Sequence, residues 1–213
     1  MRETYHKQLE NLHTELIRMG ALCEDAIAQA IKSLTGKDSS GLREKVWEIE
    51  REIDMKEREI ESFSLRLLLR EQPVAGDLRQ ITAAQRMITD MERIGDQAAD
   101  IAELSRFISG PELLGMVPIH DMAEAAAKAL TDSVDAFVAA DLDKALAVMA
   151  YDDVVDQFFS RVKKELISLI AKDSGHGETY LNLYMIAKYL ERIGDHATNI
   201  AEWVEYSITG TRR

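Results

Sequence analysis

The sequence predicts an all-α fold of two tandem three-helix bundles related by an internal repeat. Three observations carry this. Every periodic segment has helical spacing and none has the strict alternation of a strand. Clusters of Gly, Pro, Asp and Ser cut the chain at regular intervals. A string near the middle, "ERIGDQAADIAE" from Glu92 to Glu103, returns almost unchanged as "ERIGDHATNIAE" from Glu191 to Glu202.

The breaks are "TGKDSSG" (Thr35 to Gly41), "QPVAGD" (Gln72 to Asp77), "SGPELLGMVP" (Ser109 to Pro118) and "KDSGHGE" (Lys172 to Glu178). A softer one lies at "AADLD", where Asp141 suits the N-cap of a following helix. Six helices follow, over 3–35, 42–71, 77–108, 119–139, 142–171 and 178–208. In the first, Leu9, Leu12, Leu16, Met19 and Cys23 form an apolar stripe at helical spacing. The connections are short, so neighbouring helices should run antiparallel.

Aligning Asp90–Glu103 with Tyr189–Glu202 gives nine identities in fourteen positions at an offset of 99 residues. Upstream, "WEIEREID" ends at Asp54 and "AYDDVVD" at Asp156, an offset of 102, with Glu50 and Asp152 four residues before those aspartates. Helices one to three and four to six are therefore two copies of one unit. The units span 1–110 and 118–213.

The chain of 213 residues is 46% hydrophobic and 30% charged, a globular composition. Its net charge of −12 argues against nucleic acid as a partner, which needs clustered Lys and Arg. Cys23 is the single cysteine, so an intrachain disulfide is excluded and a reducing compartment fits. The first twelve residues carry charge throughout, unlike a signal peptide. No run approaches the ~18 apolar residues of a membrane span. A cytoplasmic protein that meets a membrane only through partners is expected.

At about 100° per residue, Glu92, Asp96, Asp100 and Glu103 share one side of their helix, opposite Ile94, Ala98 and Ile101. Such a charge run is ordinarily a solvated face. Here like charges stand at i and i+4 with no Lys or Arg at that spacing to relieve them, each such pair costing ~0.2–0.5 kcal/mol. Gly95 and Gly194 recur beside the acids, as if a neighbouring chain or ligand comes close. The second helix of each unit adds a pair, Glu50 with Asp54 and Asp152 with Asp156. Converging carboxylates suit hard cations: Mg²⁺, Ca²⁺, Mn²⁺ or iron, as single ions or as a cluster. Zinc is less favoured, because no cysteine and only His196 stand near the acids. His196 reads as a surface or partner-facing residue, Arg79, Arg86 and Arg93 as one exposed stripe, and Trp47 and Trp203 as packing residues.

"QPVAGDLR" (Gln72 to Arg79), followed by the two "ERIGD" strings in their wider frames, resembles the PhoU family along the whole chain. The resemblance implies two three-helix bundles side by side and multinuclear metal clusters of Fe, Mn or Mg held by E(D)-x-x-x-D motifs. It places Glu50, Asp54, Glu92, Asp96 and Asp100 in a first metal site. It places Asp152, Asp156, Glu191, Asp195 and Asn199 in a second. Asn199 stands where the first copy has Asp100, and Phe159 and Lys163 where it has Glu57 and Glu61, so the second site should be weaker. The family implies a homodimeric adaptor without enzymatic activity. Its members dampen phosphate uptake and phosphate-starvation signalling through the phosphate transporter's ATPase subunit and a phosphate-sensing histidine kinase. The alternative is a carboxylate-bridged metalloenzyme on a helical bundle. That design places Glu-x-x-His pairs inward, and here no His follows these acids at i+3.

Overall fold

The computed structural model describes residues 2–35, 39–71, 73–108 and 111–212. Six helices follow one another: α1 (Arg2–Thr35), α2 (Ser39–Glu71), α3 (Gly76–Leu104), α4 (Ile119–Ala139), α5 (Leu142–Lys172) and α6 (Gly177–Thr209). Short 3₁₀ turns lie at Ser105–Phe107, Pro111–Met116 and Ser174–His176. The expected helix ends hold to within a few residues. The largest difference is at α3, which tightens into a 3₁₀ turn where a helix to 108 was expected. Parts of three expected breaks (36–38, Gln72 and 109–110) lie outside the described residues, as does Gly110 at the foreseen boundary between the units.

Local chemistry sets the ends. Asp141 caps α5 as its sequence position suggests, accepting from the Lys144 N–H at 2.9 Å. Ala140 turns left-handed (φ 51°) to close α4, and the N–H of Gly210 (φ 81°) bonds Tyr206 O to close α6.

Each unit is a bundle, yet the two share one core. α2 packs on α1 and α3, and α5 packs on α4 and α6. The remaining four helices contact one another around the centre, and the most extensive packing is between α3 and α6. Leu12, Leu16, Met19 and Cys23 are fully buried in α1, as their spacing requires, and Leu9 nearly so. The Cys23 thiol donates to Met91 O at 3.3 Å, and burial pushes its pKa up, so it is a core residue and not a reactive one. Among the described residues, no helix is long and apolar enough to cross a membrane.

The α3–α6 seam is antiparallel. Arg79 reaches Ser207 O, Arg86 lies over the Trp203 ring, and Asp90 meets His196. Further along, Asp100 meets Tyr189. Because α3 and α6 are equivalent in the repeat, a contact across the seam can have a matched counterpart, and one does. Asp90 accepts from Asn199 at 3.4 Å, and at the equivalent place Tyr189, the counterpart of Asp90, donates to Asp100, the counterpart of Asn199. The pseudo-twofold thus passes between the middles of the two helices.

Candidate metal centre

Each unit brings its acids together by one device. A Cβ on Gly95 would stand 3.0 Å from Ile53 Cδ1 and 3.3 Å from its Cγ2. A Cβ on Gly194 would stand 3.0 Å from Val155 Cγ1 and 3.4 Å from its Cβ. The close neighbour foreseen beside these glycines is therefore the second helix of the same unit, not another chain. Asp54 follows Ile53 and Asp156 follows Val155, so this contact sets the acids of α2 against those of α3, and those of α5 against those of α6.

On the α2–α3 face, Asp54 and Asp96 act on each other and on both Glu50 and Glu92. Burial, then Asp96, Glu57 and Asp54, push the Glu92 carboxyl up to about 6 against the pull of Arg93. Glu50 is raised by burial, then by Asp54 and Asp96. Asp96 is raised by burial, then by Asp54 and Asp100. Glu57, which the sequence reading left out of the site, belongs to this group. Burial raises it first, with Glu61 and Asp54 adding to the rise, while its carboxylate accepts from Thr89 at 3.3 Å. The signal for it was its position three residues after Asp54 on the same face of α2. Cationic relief is peripheral: Arg58 approaches Asp54 at 3.6 Å with its own side chain 75% exposed, where water screens the pair.

Asp100 couples to Asp96 but points to the seam, where it accepts from Tyr189 and lies near Arg192. Asn199 likewise turns from the second cluster to Asp90. Of the ten residues expected in metal sites, these two therefore serve the joint between the units. His196 is not partner-facing either. Its Nδ1 sits 2.9 Å from Asp90 Oδ1, with only 16% of its side chain exposed. The arginine stripe is also partly engaged, since Arg79 and Arg86 lean on α6, while Arg93 stays exposed beside Glu92. Trp203 packs against the core, as read from the sequence, and Arg212 stacks on it at 4.2 Å. Trp47 lies under Arg106 at 5.5 Å. The last acids of the two strings are drawn away by arginines, Glu103 by Arg106 and Glu202 by Arg212.

On the α5–α6 face, Asp152, Asp156, Glu191 and Asp195 converge in the same way. Burial first, then Glu191, Asp152 and Asp156, raise Asp195. Burial, then Asp152, Glu191 and Asp153, raise Asp156. Here a cation is already present. Lys188 Nζ donates to both oxygens of Glu191 at 2.5 and 2.6 Å, and its charge opposes the rise at Asp156 and Asp195. Thr198 also donates to Asp152 at 3.1 Å.

By donor chemistry, the α2–α3 face fits a hard cation: its donors are oxygens only, and its arginines stand exposed at the rim. As the side chains stand, no three His, Cys, Asp or Glu groups among the described residues are gathered closely enough to hold an ion. Binding there requires the carboxylates to turn toward one another.

The PhoU domain profile matches the chain twice, over residues 16–105 and 119–204. The chain is 36% identical over 211 residues to a protein of Clostridium acetobutylicum named a phosphate-specific transport system accessory protein PhoU homolog, covering 98% of this chain and 96% of that one. It is 30% identical to the phosphate-specific transport system accessory protein PhoU of Escherichia coli, covering 97% and 86%. The crystal structure of PhoU from Pseudomonas aeruginosa superposes with a TM-score of 0.86 at 34% identity, covering 97% of this chain and all of that one. That of the phosphate transport system regulatory protein PhoU from Streptococcus pneumoniae superposes with a TM-score of 0.87 at 25% identity, covering 98% and 99%. These relatives are named as accessory or regulatory proteins and not as enzymes.

Proposed function

Since the chain belongs to the PhoU family, we propose that it is a cation-responsive adaptor without catalytic activity that restrains phosphate uptake and phosphate-starvation signalling. Its partners on this reading are the ATPase subunit of the phosphate transporter and the phosphate-sensing histidine kinase. It works in the cytoplasm as a homodimer and meets the membrane only through those partners. The names of its relatives support the place in phosphate transport.

The observation that carries the cation response is the α2–α3 acid face. Glu50, Asp54, Glu57, Glu92 and Asp96 crowd together there, relieved only from the rim by the exposed Arg51, Arg58 and Arg93. Glu50, Asp54, Glu92 and Asp96 would hold the ion, Fe, Mn or Mg. Bound there, the ion supplies positive charge that neutralises the face. The acids do the rest of the work: ionised and unpaired, they repel an acidic or membrane-proximal partner, and neutralised, they admit it. The counterpart cluster of Asp152, Asp156, Glu191 and Asp195 depends less on an external ion. A carboxylate-bridged enzyme would need inward-facing ligands and a pocket around them, whereas Asp96, Asp156 and Asp195 are exposed on the outer faces.

The test is phosphate uptake in cells carrying Glu92→Gln or Glu191→Gln in place of the native protein, with metal content of the purified proteins measured alongside. Glu92→Gln is expected to relax the restraint on uptake and to lose metal. Glu191→Gln should do less of both. Equal effects on uptake, with metal unchanged in both variants, would recast the acid faces as direct partner-contact surfaces.

A further inference from the structure

Three differences between the two acid faces act directly on Glu191 and Asp152, while in the opposite sense Asp153 and Ser160 replace the exposed Arg51 and Arg58 at the 102-residue offset. At the 99-residue offset, Lys188 replaces Thr89 and Thr198 replaces Ala99. At the 102-residue offset, Phe159 replaces Glu57. In the first unit Thr89 is a neutral donor to the extra carboxylate of Glu57. In the second that carboxylate is gone, its place is taken by a ring, and Lys188 Nζ lies 5.4 Å from the ring centroid while bonding Glu191. The stem of a lysine packs well on an aromatic ring and the ammonium gains from the π face. Phe159 therefore holds Lys188 over the acids. Thr198 then satisfies Asp152, which stands where Glu50 lacks any such donor. At these three positions one acid has been removed, and one cation and one hydroxyl donor have been added; the arginines lost elsewhere on the face were exposed, and the nearer of them to a carboxylate, Arg58, stood 3.6 Å from Asp54.

We infer that Lys188 is a tethered counter-ion that closes the α5–α6 acid cluster to metal, so that this chain takes its cation only on the α2–α3 face. A mobile divalent ion must displace an ammonium that is covalently attached and bonded to both Glu191 oxygens. The ammonium pays little entropy for being there, whereas the ion must shed water. One negative charge of the second unit is thereby balanced permanently, a relief that the first unit's acids obtain only by binding. The inference rests on the reading of the α2–α3 face as a cation site, and its test separates the two.

The test is a Mn²⁺ titration of purified protein followed by calorimetry, with the thermal midpoint as a second readout. In the wild type, Asp54→Asn with Asp96→Asn should abolish binding, while Asp156→Asn with Asp195→Asn leaves it unchanged. Lys188→Met, which keeps the stem over Phe159 and removes the charge, should bind about twice as much Mn²⁺ as the wild type. So should Lys188→Thr combined with Phe159→Glu, which transplants the first unit's residues. That gain should vanish when Asp156→Asn and Asp195→Asn are added, and Lys188→Arg should show none. Wild-type binding that falls with the Asp156 and Asp195 pair overturns the inference and leaves the α2–α3 reading standing. Wild-type binding untouched by the Asp54 and Asp96 pair overturns that reading instead, while a gain in Lys188→Met would still uphold the tether. No gain in either Lys188 variant, both folded by their melting curves, overturns the tether itself.

Discussion

Glu92 and Glu191 occupy the same position in the two repeats, on the same kind of helix, one turn from a glycine that admits the neighbouring helix at the same distance. Both stand among acids, but their nearest polar partners differ. Glu92 looks at Asp54, Glu57 and Asp96, and its pKa is pushed up to about 6. Glu191 looks at Lys188, bonded through both oxygens. The frame that gathers acids is therefore separable from the charge that balances them. The frame is set by Gly95 on Ile53 and Gly194 on Val155, and is duplicated. The balance is set by side chains one layer out, and is not.

The frame should be the costlier to break, and equally so in both units. Gly95→Val and Gly194→Val each drive a branched side chain into a helix contact already at 3.0 Å. Each should cost about 2–3 kcal/mol of stability by overpacking, measured by urea unfolding. A large inequality between the two would mean that the units are not built on the same contact.

The balance should show next. Mn²⁺ at about 100 times its dissociation constant should stabilise the wild type by ~2.7 kcal/mol through mass action. Asp54→Asn with Asp96→Asn should remove that gain. Without metal the same pair should melt no lower than the wild type, because it relieves repulsion and leaves the buried stripe intact. Chelators should likewise leave the fold in place.

The smallest effect is on pH. A carboxyl whose folded pKa lies above its ordinary value holds its proton more tightly when folded. Stability is then gained as pH falls through about 6 toward the ordinary 4.5 of Glu92, and lost as pH rises back through that window. Glu50, Glu57 and Asp96 shift in the same direction. After allowance for solvent screening, Glu92 should contribute about 1 kcal/mol to this slope. Between pH 7 and 5, Glu92→Gln should flatten the stability profile relative to wild type. Identical profiles would show that the cluster relaxes into solvent and stores no repulsion.

Much of this was legible in the sequence. Periodicity and breaks located six helices, because each helix carries its own apolar stripe and ends where Asp141, Gly210 or a proline-bearing turn interrupts it. The repeat was legible because the "ERIGD" strings survive duplication. Less legible was what lies beside each acid. Asp100 and Asn199 sit at the edge of the acid stripe, about 80° from Glu92 and Glu191, and that edge is the one that meets the other unit. His196 is drawn into the seam by Asp90, a partner 106 residues away that no local pattern announces. The glycine pair was noticed, but a helical glycine says only that something comes close, not what. Lys188 was in plain sight three residues before Glu191. Its meaning emerges only when Thr89 and Glu57 are laid against Lys188 and Phe159, a comparison across two helices with different offsets.

The most direct test of the asymmetry is anomalous diffraction at the manganese edge from crystals of the wild-type protein grown in Mn²⁺. The account predicts anomalous density at the α2–α3 cluster, between Glu50, Asp54, Glu92 and Asp96, and none at the α5–α6 cluster, with Lys188 Nζ still on Glu191. Density of comparable height at both clusters, with Lys188 swung away, would contradict it.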